Sequence, residues 1–162
     1  MTNLTPEQLA EKMEYRAKVH RVYPSDVTDL LEAGAATIRH QSEVIAWRTL
    51  QARCEAANGP DRALDWDILQ AAGQQAMQDG HTLRCDFTGS LDAIVALSEK
   101  TMPNAGISLD KYWWTTPHDV VWGASIVVGE TGDTYIGMCR PTPALTLCAA
   151  YCNVRAALEE TK

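Results

Sequence analysis

No stretch of this 162-residue chain approaches the roughly 18 consecutive apolar residues of a membrane span. A membrane-spanning helix is therefore excluded as its organising element. The first residues, Met1-Thr2-Asn3-Leu4-Thr5-Pro6-Glu7, lack a basic region followed by an apolar block, so no signal peptide is expected. Cysteine is present without a pairing pattern: there are five, an odd number with no paired spacing. Reduced thiols in a cytosol are the simplest reading. Positive charge is also short, with 14 Lys and Arg against 21 Asp and Glu, a net charge of −7. Net charge therefore does not draw the chain to nucleic acid or an anionic membrane. It permits a basic protein partner or mimicry of nucleic acid, and solubility alone is the plainer account. A phosphate-binding motif is missing too. Gly129-Glu130-Thr131-Gly132 lacks the Lys-Ser/Thr of a P-loop and does not lead into a helix.

What is present is 46% apolar residues, enough to form one domain with a core, or a small domain with a helical appendage. Thr5-Pro6-Glu7-Gln8 reads as a cap, a first-turn proline and an acidic first turn, predicting a helix to about Val22. Tyr23-Pro24-Ser25-Asp26 breaks it and starts another. From Asp26 to Ala57 there is no proline, and Gly34 is the only glycine; Asn58-Gly59-Pro60 ends the run. Val27, Leu31, Gly34, Ile38 and Ile45 recur at three- and four-residue steps, with Gln41 and Arg48 on the same seam, so the first half of the helix reads as a packing seam and the second half as polar and weaker. Two pairings stay open: an intramolecular hairpin, or a coiled-coil-like contact across an oligomer. The expected self-association residues are Val27, Leu31, Ile38 and Ile45.

A third helix is expected over 61–78, with Leu64, Ile68, Leu69, Ala72 and Met77 apolar, and a weakly alternating extended stretch over 81–87. Thr88-Gly89-Ser90 precedes a fourth helix from Leu91, ended by Met102-Pro103-Asn104-Ala105-Gly106. Strands are expected over 109–116, 118–128 and 134–139, the second carrying Val120, Trp122, Ala124, Ile126 and Val128 on one face. A last helix runs from Pro143, capped by Thr142, to about Glu160. The expected class is α+β: a long N-terminal helical hairpin or arm (1–58), then a small three-stranded antiparallel sheet flanked by helices (61–162).

Three segments carry a resemblance. They are Arg53-Cys54-Glu55-Ala56-Ala57-Asn58-Gly59-Pro60-Asp61-Arg62-Ala63-Leu64-Asp65, Phe87-Thr88-Gly89-Ser90-Leu91-Asp92-Ala93-Ile94, and Pro141-Thr142-Pro143-Ala144-Leu145-Thr146-Leu147-Cys148-Ala149-Ala150. In this order they resemble the phage α-β-α sandwich domain family of small phage and prophage proteins, over about residues 50–160. The resemblance implies an αβ sandwich and a phage or prophage origin. It implies no established reaction and no catalytic residues. Residues 1–49 have no counterpart, and Met102-Pro103-Asn104-Ala105-Gly106 replaces the family's Pro-Glu-Gly-Trp-like turn before the aromatic strand.

Candidate chemistry is sparse. Cys148 and Cys152 lie four apart on one helix face, a spacing that can hold a metal, but nothing accompanies them and an apolar stripe surrounds them. Cys85 with His81, and Cys139 with His118, are pairings expected by chance. Asp61, Asp65 and Asp67 suit the positive end of a helix, as do Ser90 and Asp92. The best site is aromatic: Tyr112, Trp113, Trp114 and Trp122, with Arg140 and Lys111 nearby. Neighbouring strand residues face opposite ways, so Trp113 and Trp114 cannot share a core, and a base stacked on one contributes about 1–3 kcal/mol. Core or interhelical packing is the plainer role for this cluster.

The expectation is a non-enzymatic phage accessory protein of the bacterial cytoplasm. It would act by binding, as an inhibitor of a host antiviral defence protein. Neither cofactor nor metal is expected, and self-association runs through the N-terminal helices. A small-ligand binder, such as a sponge for a nucleotide signal, is the alternative, and an enzyme of unrecognised type is a third reading.

Overall fold

The structure, a computed structural model, describes residues 5–19, 25–74, 86–113, 120–128, 133–140 and 142–162. Its elements are α1 (Pro6–Val19), α2 (Ser25–Ala56), α3 (Arg62–Ala71), α4 (Leu91–Thr101), β1 (Gly106–Trp113), β2 (Val120–Val128), β3 (Asp133–Arg140) and α5 (Pro143–Glu160). The class is α+β. The strands pair antiparallel in the order β1-β2-β3.

α5 is the organising element. Thr142 caps it by accepting the Leu145 N–H, and Pro143 opens it. Its residues from Ala144 to Cys152 are all buried, as are Val154 and Ala156. A helix apolar all round must be enclosed. α2 packs on one side of α5, β2 and β3 on another, and α4 fills a third. α5 is thus the middle layer. The sheet lies outside it, with Ala124 and Ile126 buried beneath α5 and Ser108, Asp110 and Thr134 exposed. On the outer face Ser108 and Ser125 share a hydroxyl hydrogen bond of 2.8 Å. One dry face and one wet face is the usual economy of an antiparallel sheet.

One core spans the boundary drawn from sequence near residue 60. Trp47, Leu50 and Cys54 of α2 join Leu64, Ile68 and Leu69 of α3, Ile94 and Leu97 of α4, and the buried face of α5. The Tyr151 ring meets Trp47 edge-on, with centroids 5.8 Å apart, and its hydroxyl lies 3.1 Å from Thr101 Oγ1. A buried phenol needs such a partner. At the surface of the same helix pair, Arg48 donates to Asn153 at 2.7 Å and to Glu160 at 2.9 Å.

α2 therefore lives in two environments. Its second half belongs to the core, and its first half pairs with α1 as a hairpin. Ala10 and Ala35 are buried there, and a Cβ on Gly34 would fall 2.8 Å from Met13 Cε. Small residues let the two helices approach.

Several boundaries differ from expectation. α1 ends at Val19, and residues 20–24 lie outside the described residues. α3 stops at Ala71 rather than 78. Gly73 takes a φ of 65°, and the N–H groups of Gly73 and Gln74 turn back to the carbonyls of Gln70 and Leu69. That left-handed closure satisfies the helix end and stops it. The stretch expected to be extended over 81–87 lies mostly outside the described residues; its last two residues, Asp86 and Phe87, lead into a turn. β1 begins at Gly106 instead of Leu109, because Gly106 and Ile107 continue the ladder opposite Val127 and Ile126.

Candidate functional site

The row Lys111–Trp122–Arg140 crosses all three strands. Lys111 pairs with Trp122 in the β1–β2 register, and Trp122 with Arg140 in the β2–β3 register, beside a register shift between Trp122 and Ala124. Alternation along β2 puts Trp122 on the same face as buried Ala124 and Ile126. Trp122 itself is only half-buried. The Lys111 ammonium stands 5.8 Å from its ring centroid, a cation–π contact. Two residues beyond Arg140, Thr142 caps α5, so the positive end of that helix dipole lies at the same end of the sheet. Cation, indole face and helix N-terminus together suit a flat, anionic ligand.

The other aromatic candidates fall partly out of view. Tyr112 and Trp113 pair in register with Val121 and Val120. Their side chains and that of Arg140, like all of Trp114, lie outside the described residues. So do His81, Cys85 and His118, and the side chain of Cys139.

The acidic cluster separates into three different jobs. Asp61 caps α3, accepting from Ala63 and Leu64. Asp67 pairs with Arg53 of α2. Asp65 is buried and accepts the Thr88 N–H at 2.7 Å, while Thr88 Oγ1 accepts the Asp61 N–H at 2.8 Å. The two bonds latch α3 to the turn before α4, where Ser90 caps the helix. Asp65 Oδ2 has no partner. Burial raises the Asp65 pKa above the ordinary carboxylate value, the Thr88 hydrogen bonds oppose this, and the nearby Asp86 and Asp61 carboxylates add to it. The dipole argument from sequence covers Asp61 and misses the structural use of Asp65.

The cysteines gather more closely than sequence spacing suggests. Cys54 of α2 lies against Cys148 and Cys152 of α5, all three fully buried and free. Thiol hydrogen bonds from Cys148 and Cys152 lower Cys54 to about 5, against the effect of burial. Burial pushes Cys148 and Cys152 well up. Cys148 also directs its thiol at the Phe87 carbonyl, 3.3 Å away. Among the described residues no group of three or more His, Cys, Asp or Glu is arranged to hold a metal ion.

The expected self-association residues do not share one environment. Leu31 and Ile38 are half-buried beside Gly34 and Ala35, whereas Val27 and Ile45 are exposed. Leu30, absent from the sequence seam, is the most exposed large apolar side chain described, at 72%. Among the described residues, no helix is long and apolar enough to cross a membrane. Compared with models of protein families, with curated proteins and with solved structures, the chain finds no match.

Proposed function

We propose that this protein acts by binding another protein, with the α1–α2 hairpin as the docking element. The role is that of a phage accessory protein which inhibits a host defence protein in the bacterial cytoplasm. One observation carries the reading. Of the six large apolar side chains exposed among the described residues, Leu9, Tyr15, Val27, Leu30 and Ile45 are on the hairpin, and only Trp66 is elsewhere. Clustered exposed apolar side chains mark interaction surfaces, where scattered ones need no explanation.

The hairpin has two unlike edges. Glu14, Lys18, Glu32 and Arg39 line a cleft of about 340 Å³ between the helices, with Glu14 and Arg39 ion-paired. At roughly 100° per residue, Leu30 sits about half a turn round α2 from Glu32 and Arg39, with Val27 and Ile45 on its side. One edge is charged and the other apolar. Self-association through these helices is the companion proposal. Retention of a host protein from bacterial lysate on the immobilised chain tests the main reading. The Leu30→Glu/Ile45→Glu variant should lose that protein while keeping its helical content. Undiminished capture by the variant would overturn the assignment, and light scattering on the same two samples reads self-association.

A second reading rests on the Lys111–Trp122 contact at the sheet end. A nucleotide-like ligand would stack on the indole and meet the Lys111 ammonium. Copurified nucleotide, seen as excess absorbance at 260 nm that Trp122→Ala abolishes, supports it. Equal absorbance in both proteins removes it.

A further inference from the structure

Two arginines lie along the packed pair α2 and α5, and the better hidden one has the fewer partners. Arg48, with 42% of its side chain exposed, donates to Gln51 at 3.2 Å, to Asn153 at 2.7 Å and to Glu160 at 2.9 Å. Arg155, with only 20% exposed, stacks on the buried Trp47 indole, its guanidinium carbon 5.2 Å from the ring centroid. Its Nε–H is buried without a hydrogen-bond partner. Its Nη2 stands 3.6 Å from Glu159 Oε1, an ion pair too long for a hydrogen bond. Both oxygens of Glu159 are taken by the Lys162 ammonium, at 2.7 and 2.6 Å. Among the described residues no other acceptor reaches Arg155. A buried charge needs hydrogen bonds more than an exposed one does, so two arginines with purely structural roles should show the reverse order.

We infer that the Arg155 guanidinium, backed by the Trp47 indole, anchors a binding site for an oxyanion, the carboxylate or phosphate group of a small ligand. The planar fork presents paired N–H donors at the spacing of carboxylate and phosphate oxygens. The indole beneath it fixes the plane of the fork, so little side-chain freedom is lost on binding. The local charge balance also favours an anion. Lys162 neutralises the buried Glu159, which leaves the Arg155 charge uncompensated in a chain whose net charge is −7. Arg155, Glu159 and Lys162 follow one another at steps of four and three residues, so both cations stand on one side of α5 and its end. The ligand meets the fork at its Nη groups, because the Nε atom is covered. The site shares no residue with the apolar edge of the hairpin or with the Lys111–Trp122 contact, so it stands or falls independently of both.

The probes are inorganic phosphate and acetate, titrated against chloride at constant ionic strength into isotope-labelled wild-type protein. The resonances followed are the Arg155 Nε–H and the Trp47 indole N–H, assigned by their loss in Arg155→Lys and Trp47→Phe. Both should shift saturably in the millimolar range with at least one probe. A response to phosphate alone assigns a phosphorylated ligand, and one to acetate alone a carboxylate. Glu159→Gln removes the competing carboxylate and should tighten binding several-fold. Arg155→Lys keeps the charge but loses the fork, and should weaken binding about tenfold or more, the worth of one charged hydrogen bond. Should the lysine variant fail to fold, the wild-type and Glu159→Gln titrations decide. Three outcomes overturn the inference: shifts that chloride reproduces or that never saturate, equal affinity in a folded Arg155→Lys variant, or weaker binding by Glu159→Gln.

Discussion

α5 and the first half of α2 are both helices with regular apolar spacing, yet one is enclosed and the other stands at the surface. α5 is buried from Ala144 to Cys152 because α2, α4 and the sheet surround it. The first half of α2 packs on α1 and, among the described residues, fully buries only Ala35. A helix with one neighbour hides one stripe; a helix with three hides its circumference. Local stability follows the number of enclosing elements, so the hairpin should open well below the free energy that unfolds the core.

The largest effect should come from the core. Tyr151→Ala removes the edge contact with Trp47, the Thr101 hydrogen bond and most of a fully buried ring. It should destabilise the protein by about 3–5 kcal/mol in urea titration, the range for truncating a buried aromatic. Tyr151→Phe, which removes only the hydroxyl, should cost about 0.5–1.5 kcal/mol. An Ala variant within 1 kcal/mol of wild type would mean that α5 is not the centre of cooperativity.

Gly34→Val attacks the other side of the comparison. The Met13 methyl lies where the new Cβ would go, and a methionine end can swing aside for one methyl. Valine's fixed branches demand more room and should push α1 off α2. Amide exchange should then quicken across residues 6–19 and stay slow across 143–160. Gly34→Ala should leave exchange unchanged or slow it, since alanine favours helix over glycine by about 1 kcal/mol. Equal acceleration of both regions by valine would erase the distinction between hairpin and core.

A smaller, pH-dependent effect belongs to Asp65. Its carboxyl titrates above the ordinary 3.8, chiefly because it is buried. The folded state therefore binds this proton more tightly than the unfolded state does. The sign follows: stability from this group is full below the ordinary carboxylate value and is lost as pH rises through the raised folded value. Asp65→Asn keeps an oxygen for the Thr88 N–H and removes the buried charge. It should be more stable than wild type at neutral pH, and the advantage should shrink on acidification through the carboxylate range. An advantage that grows on acidification would reverse the assignment.

Much of the architecture was legible because its signals are local. Thr142-Pro143 gives the start of α5, Ser90 the start of α4, and the alternation through Ala124 and Ile126 the inner face of β2. What was not legible depends on contacts distant in sequence. Nothing near Cys54 announces that α5 will bring two thiols to it, and nothing near Asp65 announces Thr88. The sequence pattern makes the second half of α2 the polar and weaker one, yet that half joins the core through Trp47, Leu50 and Cys54. A periodicity count identifies the helix but not the partner that covers each half. The misplaced end of α3 has a different origin: Gly73 lies inside a run of good helix formers, and composition outvoted the single residue that closes the helix. For the site, the Trp122 position was legible from strand alternation, while the Lys111 contact needed the register.

The smallest expected effect is the most discriminating for the hairpin. Leu30 and Ile45 are 72% and 62% exposed, so truncating them removes almost no buried surface. Leu30→Ser and Ile45→Ser should each change stability by no more than about 0.5 kcal/mol, the ordinary range for a surface substitution. That null result has content, because the same reduction at a buried leucine such as Leu147 would remove a packed side chain from the core. Truncation of buried leucine to alanine costs about 2–5 kcal/mol. If the two serine variants instead lose more than 1.5 kcal/mol at micromolar concentration, the side chains are covered in solution. The loss should then diminish on dilution if the cover is a second copy, since a dimer's stability depends on protomer concentration. A loss independent of concentration would place the cover within the chain itself and remove the apolar edge from the binding surface.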